Sequence, residues 1–135
     1  MFLNRKSSVW VTTAIAGLAA VAMNSVPLAA QAKDGDVIQR VSCSQRSEIK
    51  LKASPENGRI EVEAEIDDSV PGQRWRLVMK KNSQTIFNGV RQVNSLGNVE
   101  VRVLTPNGAG VENIVANARN LNTGEQCNVS VRYSG

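Results

Sequence analysis

From residue 37 onward the chain alternates apolar and polar residues in short runs, and clusters of Gly, Pro, Asn and Asp separate the runs. A period of two sends successive side chains to opposite faces, so the pattern predicts strands that each bury one face. The run 47–53 puts Ile49, Leu51 and Ala53 on one face and Glu48, Lys50 and Lys52 on the other. The run 59–67 sets Ile60, Val62, Ala64 and Ile66 against Glu61, Glu63 and Glu65. Between them Ser54-Pro55-Glu56-Asn57-Gly58 reads as a turn, because Pro presets φ and Asn-Gly tolerates positive φ. Matching the apolar faces of this hairpin brings Lys50 and Lys52 opposite Glu61 and Glu63 on the solvent side. A slip by one residue would bury the carboxylates, so the pairs pin the register.

The alternation continues. Residues 73–81 place Trp75, Leu77 and Met79 inward and Arg74, Arg76 and Lys80 outward, which makes Trp75 a core residue. Asp67 to Gly72 is a loop and Asn82-Ser83 a short turn. Residues 85–93 form a weaker strand, and Asn88-Gly89 marks it as bulged or at an edge. Val99, Val101 and Val103 share a face of the next run, and the stretch 105–110 carries the densest turn signal. Residues 111–121 and 126–133 complete the set, with Tyr133 expected near the surface. Seven or eight strands in about a hundred residues predict an all-β fold, an immunoglobulin-like antiparallel β-sandwich. Neither an antibody-spaced cysteine pair around Trp75 nor a corner tyrosine accompanies it.

The first 32 residues break this pattern and read as a secretory signal peptide. Arg5 and Lys6 form the basic start, residues 9–23 the apolar centre, and Ala30-Gln31-Ala32 the small-x-small cleavage site, so the mature chain is expected to begin at Lys33. The apolar centre falls short of the roughly 20 residues that cross a bilayer, with an uncleaved anchor as the competing reading. No membrane span is expected in the single domain 33–135. Cys43 and Cys127 in an oxidising compartment are most simply one disulfide; two free thiols or a two-ligand metal site are the alternatives.

Composition removes several chemistries. Of 16 Lys and Arg, Arg5 and Lys6 belong to the leader, which leaves 14 cations against 12 carboxylates. With Glu and Lys or Arg interleaved, this near-balance predicts a compensated surface and argues against nucleic acid as a partner. The absence of histidine excludes Ser-His-Asp and Cys-His catalysis and the commonest catalytic zinc sites. Glu61, Glu63 and Glu65 could serve a glycosidase by spacing, but facing lysines would not raise a carboxyl pKa. Asp67 and Asp68 with Glu65 could approach a calcium ion, yet a solvated turn explains them without one. No catalytic residue, metal or cofactor is assigned. The contact regions expected are the loop with Asp67 and Asp68 and the loop with Asn107, Gly108 and Gly110, since rigid sandwiches carry recognition on loops.

The segment from Glu56 to Glu63, Gly72-x-Arg74-Trp75, Gly110, and Asn122-Thr123-Gly124-Glu125-Gln126-Cys127 resemble a group of small secreted actinobacterial proteins over nearly the whole mature length. The resemblance implies secretion, the sandwich and a Cys43–Cys127 disulfide, and it carries over no active-site residue. The expected function is a secreted, non-enzymatic sandwich that binds an extracellular protein or cell-envelope component. The alternatives are a small-ligand carrier resembling the secreted chromoprotein sandwiches, and a secreted hydrolase.

Overall fold

Strands form where the period-two runs lie. The computed structural model describes residues 35–135; the expected leader and its expected cleavage site at Ala30, Ala32 and Lys33 lie outside the described residues. The elements are β1 (Val37–Ser42), β2 (Glu48–Glu56), β3 (Arg59–Asp67), β4 (Arg74–Lys81), β5 (Gln84–Gln92), β6 (Val99–Pro106), β7 (Val111–Asn120) and β8 (Gln126–Ser134). All pair antiparallel, in two four-stranded sheets ordered β1-β2-β3-β6 and β5-β4-β7-β8. Measured against the immunoglobulin layout of ABED over CFG, β2, β3 and β6 stand as A, B and E, and β4, β7 and β8 as C, F and G. The strand that would be D is replaced by β5, which lies beside β4 in the other sheet. An extra strand, β1, covers the edge of β2.

The inner faces meet in one core. Ile49, Leu51, Ile60, Val62, Ile66, Trp75, Leu77, Met79 and Ile114 are fully buried, and each side chain of this kind contributes about 1.5–3 kcal/mol by leaving water. Trp75 keeps its polar end satisfied, its Nε1 donating to Ser69 Oγ at 2.9 Å. Tyr133 departs from expectation and is only 3% exposed. The alternation of β8 runs through to it in phase with Val129 and Val131, so it faces the core although it lies near the chain end.

The β2–β3 turn is tighter than the sequence suggests. β2 continues through Ser54 and Pro55 to Glu56, leaving only Asn57-Gly58 as the loop, with φ of 49° and 77°. Two positive φ values make this the primed hairpin turn that Asn-Gly favours. Pro55 is tolerated because the β1 pairing stops at Ala53, so its missing N–H interrupts no ladder on that side. The shorter loop moves the whole register by two residues: Lys52 faces Glu63, Lys50 faces Glu65, and Glu61 lies opposite Ser54 rather than a lysine. β5 is an edge strand, as its composition indicates. Its irregularity, however, lies at Ile86, where Met79 pairs with Phe87 and Lys80 with Thr85. Gly89 instead leaves room for Arg91 to reach over the Phe87 ring at 5.0 Å; a Cβ there would lie 2.9 Å from Phe87 Cζ.

Cys43, just past β1, is disulfide-bonded to Cys127 in β8, joining the two sheets across 84 residues of chain. The Ser44 amide donates to the Gln126 carbonyl at 2.9 Å, and the Gln126 amide to Ser44 Oγ at 2.9 Å. Beside them the buried Glu125 carboxylate accepts from the amides of Gln45 and Ser47 at 2.9 Å each and from Ser47 Oγ at 3.0 Å. Gly124, at φ 78°, lets the chain turn into that position. The Thr123-Gly124-Glu125-Gln126-Cys127 segment thus builds the joint between the first and last strands.

Candidate binding surface

The outer face of β1-β2-β3-β6 is a lattice of alternating charge. Its carboxylates are Glu48, Glu56, Glu61, Glu63, Glu65, Asp67 and Glu100, and its cations Arg40, Lys50, Lys52, Arg59 and Arg102, set in rows by the register. Glu63 is the centre. Lys50 Nζ lies 3.1 Å from its Oε1, while Lys52 Nζ and Arg102 Nε lie 3.5 and 3.4 Å from its Oε2. The three cationic side chains close over the carboxylate and leave it 2% exposed. Burial pushes the Glu63 carboxyl up, but the hydrogen bond from Lys50 and the charges of Lys50, Lys52 and Arg102 outweigh it and hold the pKa below the usual carboxylate value. A glycosidase acid needs the opposite shift. Burial tends to lower the Lys50 pKa as well, and the two glutamates beside it reverse that.

Glu63, Glu65 and Glu100 bring carboxylate oxygens within 4.8 Å of one another. Three interleaved cations already meet that charge, so the cluster is an ion-pair network and not a cation cradle. Asp67 sits at its end. Burial, then the hydrogen bond to Glu65 and the Glu65 charge, raise its pKa to about 6. Asp67 is therefore tied to its neighbour on the strand, and the turn residue Asp68, at φ 59°, offers its carbonyl to Arg46 Nε at 2.8 Å.

The two loops expected to make contacts lie at opposite ends of the sandwich. The Asp67–Gly72 loop shares its end with the β5–β6 loop, where the Ser69 amide donates to the Gly97 carbonyl at 3.0 Å. The Asn107–Gly110 loop lies at the other end, where Gly108 N donates to Glu112 Oε1 at 3.0 Å and Lys81 Nζ lies 3.4 Å from the same oxygen. The fold does not bring Asp67 and Asp68 together with Asn107, Gly108 and Gly110.

The outer face of β5-β4-β7-β8 is different in kind. It presents Arg74, Arg76 and Lys80 from β4, Arg119 from β7 and Arg132 from β8, all exposed, and no carboxylate. The acids of this sheet region, Glu112 and Glu125, are buried and engaged elsewhere. Among the described residues no carboxylate lies within ion-pair distance of those five cations. Arg76 stands directly opposite Arg119 across the β4–β7 ladder, an arrangement that weakens a sheet. A depression of about 230 Å³ is lined here by Arg76, Val78, Asn117, Arg119 and Gln126. A second, of about 510 Å³, is lined by Gln39 and Val41 of β1 and by Val115, Val129 and Ser130, and shares Asn128 with the first. The sequence reading of an evenly compensated surface holds for one face and fails for the other.

No family model matches this chain, and a search of curated proteins finds no match. Among the described residues no helix is long and apolar enough to cross a membrane.

Proposed function

We propose that the protein is exported, loses residues 1–32, and acts as a non-enzymatic binding module. It holds an extracellular protein or cell-envelope component. The observation that carries this reading is the outer face of β5-β4-β7-β8, five exposed cations with no carboxylate among them. Uncompensated charge on a rigid sheet costs stability and favours an anionic partner, so this face replaces the end loops as the contact region. The leader pattern and the Cys43–Cys127 disulfide support export. Cations clamped around Glu63 count against hydrolysis by the Glu61-Glu63-Glu65 strand.

Intact mass of protein recovered from culture supernatant, joined to a sedimentation assay with cell envelopes, tests both parts. The expected mass begins at Lys33 and gains two alkyl groups only after reduction. Envelopes should retain the wild type and release the Arg76→Gln/Arg119→Gln variant. A full-length chain in the membrane fraction, or equal retention of the variant, would overturn the reading.

The carrier alternative keeps one observation in its favour, the depression on the outer side of the Trp75 strand. At about 230 Å³ it is smaller than the usual ligand pocket of roughly 300–1,000 Å³, and it is lined by arginines and amides. A carrier would give saturable fluorescence with an apolar dye; a surface binder would not.

A further inference from the structure

We infer that the outer face of β5-β4-β7-β8 binds an extended, carboxylate-bearing polysaccharide; the inference rests on the binding-module reading and supplies its ligand chemistry. Two clusters of cations define the site. Arg76 and Arg119 are directly opposed on β4 and β7, and among the described residues Arg76 finds only a neutral acceptor, Asn88 Oδ1 at 3.1 Å. Lys80 lies four residues further along β4, about 13 Å by strand rise. Arg132 stands near it, one same-face step beyond Ser130, whose row Lys80 shares through Val115. Between the clusters lies the row Asn88, Val78, Asn117 and Asn128.

Each part matches one feature of such a ligand. A guanidinium pairs a carboxylate through two parallel N–H donors, and among the described residues no anion occupies the Arg76–Arg119 pair. The asparagine amides offer donors and acceptors that suit hydroxyl groups lying between the charges. Two separate depressions that share Asn128 in their linings suit a chain laid across the sheet better than a compact molecule inserted into it. Among the described residues, the two aromatics with a polar end, Trp75 and Tyr133, are inside the core. The face therefore lacks the stacking platform that single-stranded nucleic acids use, and charge with hydroxyl recognition remains.

Affinity electrophoresis of the full mature chain tests this with polygalacturonate and hyaluronan as probes, fully methyl-esterified polygalacturonate as the neutral control, and single-stranded DNA as the competing polyanion. At least one acidic glycan should retard the wild type, and esterification should weaken that binding by roughly tenfold or more, since it removes every bidentate carboxylate contact. Arg76→Gln/Arg119→Gln should lose about tenfold and Arg132→Gln a few-fold, while Arg102→Gln, on the opposite face, should bind as wild type. Thermal melts of the same samples establish that each variant is folded. Retardation equal with the ester, DNA binding as tight as glycan binding, or no retardation by either acidic glycan would each overturn the assignment. Envelope retention separates the two levels: retention without glycan binding overturns only the ligand class, and loss of both overturns the binding-module reading too.

Discussion

The two outer faces of this sandwich solve the same problem differently. Both must present charged side chains to water every second residue. On β1-β2-β3-β6, seven carboxylates and five cations alternate, and the central carboxylate is covered by its own partners. On β5-β4-β7-β8, five cations stand without one acid, two of them head to head. The first arrangement uses charge to fix register and hold the sheet. The second spends stability on potential directed outward. A net charge summed over the chain averages the two and conceals both.

The contrast depends on the sheets staying packed together, so the largest effect comes from the joint. Replacing both Cys43 and Cys127 with Ala should lower unfolding free energy by about 4 kcal/mol, the loop-entropy value for a closure of this length, read from urea melts. Next comes the centre of the compensated face. Glu63→Ala leaves Lys50, Lys52 and Arg102 facing one another and should cost about 2–3 kcal/mol, whereas Glu100→Gln, at the exposed rim, should cost less than about 1 kcal/mol. Similar losses for the two would mean that the lattice is not centred on Glu63.

Titration separates two acids of that face by sign. Asp67, at about 6 when folded against 3.8 ordinarily, holds its proton more tightly in the folded chain. Its contribution is therefore greatest with the proton bound and declines as pH rises from about 4 to about 6, then levels off. Asp67→Asn should flatten this limb and leave the protein more stable at neutral pH. Glu63, depressed below 4.5, contributes above that pH and loses its contribution as pH falls through its folded value. The smallest effect lies on the uncompensated face. Arg119→Glu creates an opposite-charge pair with Arg76 and should raise stability by up to about 1 kcal/mol while abolishing envelope retention. A drop in stability would show that the two arginines do not oppose each other.

Much of the architecture was legible because burial writes itself into a period of two. Ile49, Leu51, Ile60, Val62, Trp75, Leu77 and Met79 all face inward as their alternation requires. Register was legible only up to the length of one turn. Pro55 suggested a five-residue loop, but the β1 pairing stops at Ala53 and leaves that stretch of β2 free to remain a strand, so the register moves by two residues and Lys50 faces Glu65. Tyr133 was misjudged by its place in the chain when its phase with Val129 and Val131 already assigned it inward. The uncompensated face was not legible. Glu61, Glu63 and Glu65 precede Arg74 and Arg76 by a short loop, and only the β3–β4 crossover, a long-range fact, puts them on opposite sides of the molecule. The Arg76–Arg119 pair likewise joins residues that no local pattern relates.

The staple between the first and last strands also constrains how the chain comes to be made. Any machine that delivers it N-terminus first exposes Cys43 long before Cys127, with 84 residues still to arrive. The β2–β3 and β4–β5 hairpins are local and can close in that interval, whereas oxidation must wait for β8. With only two cysteines, there is a single intramolecular pairing to find. Maturation thus calls for an oxidant and no isomerase, and its one hazard is that a waiting Cys43 meets the Cys43 of a neighbouring chain first.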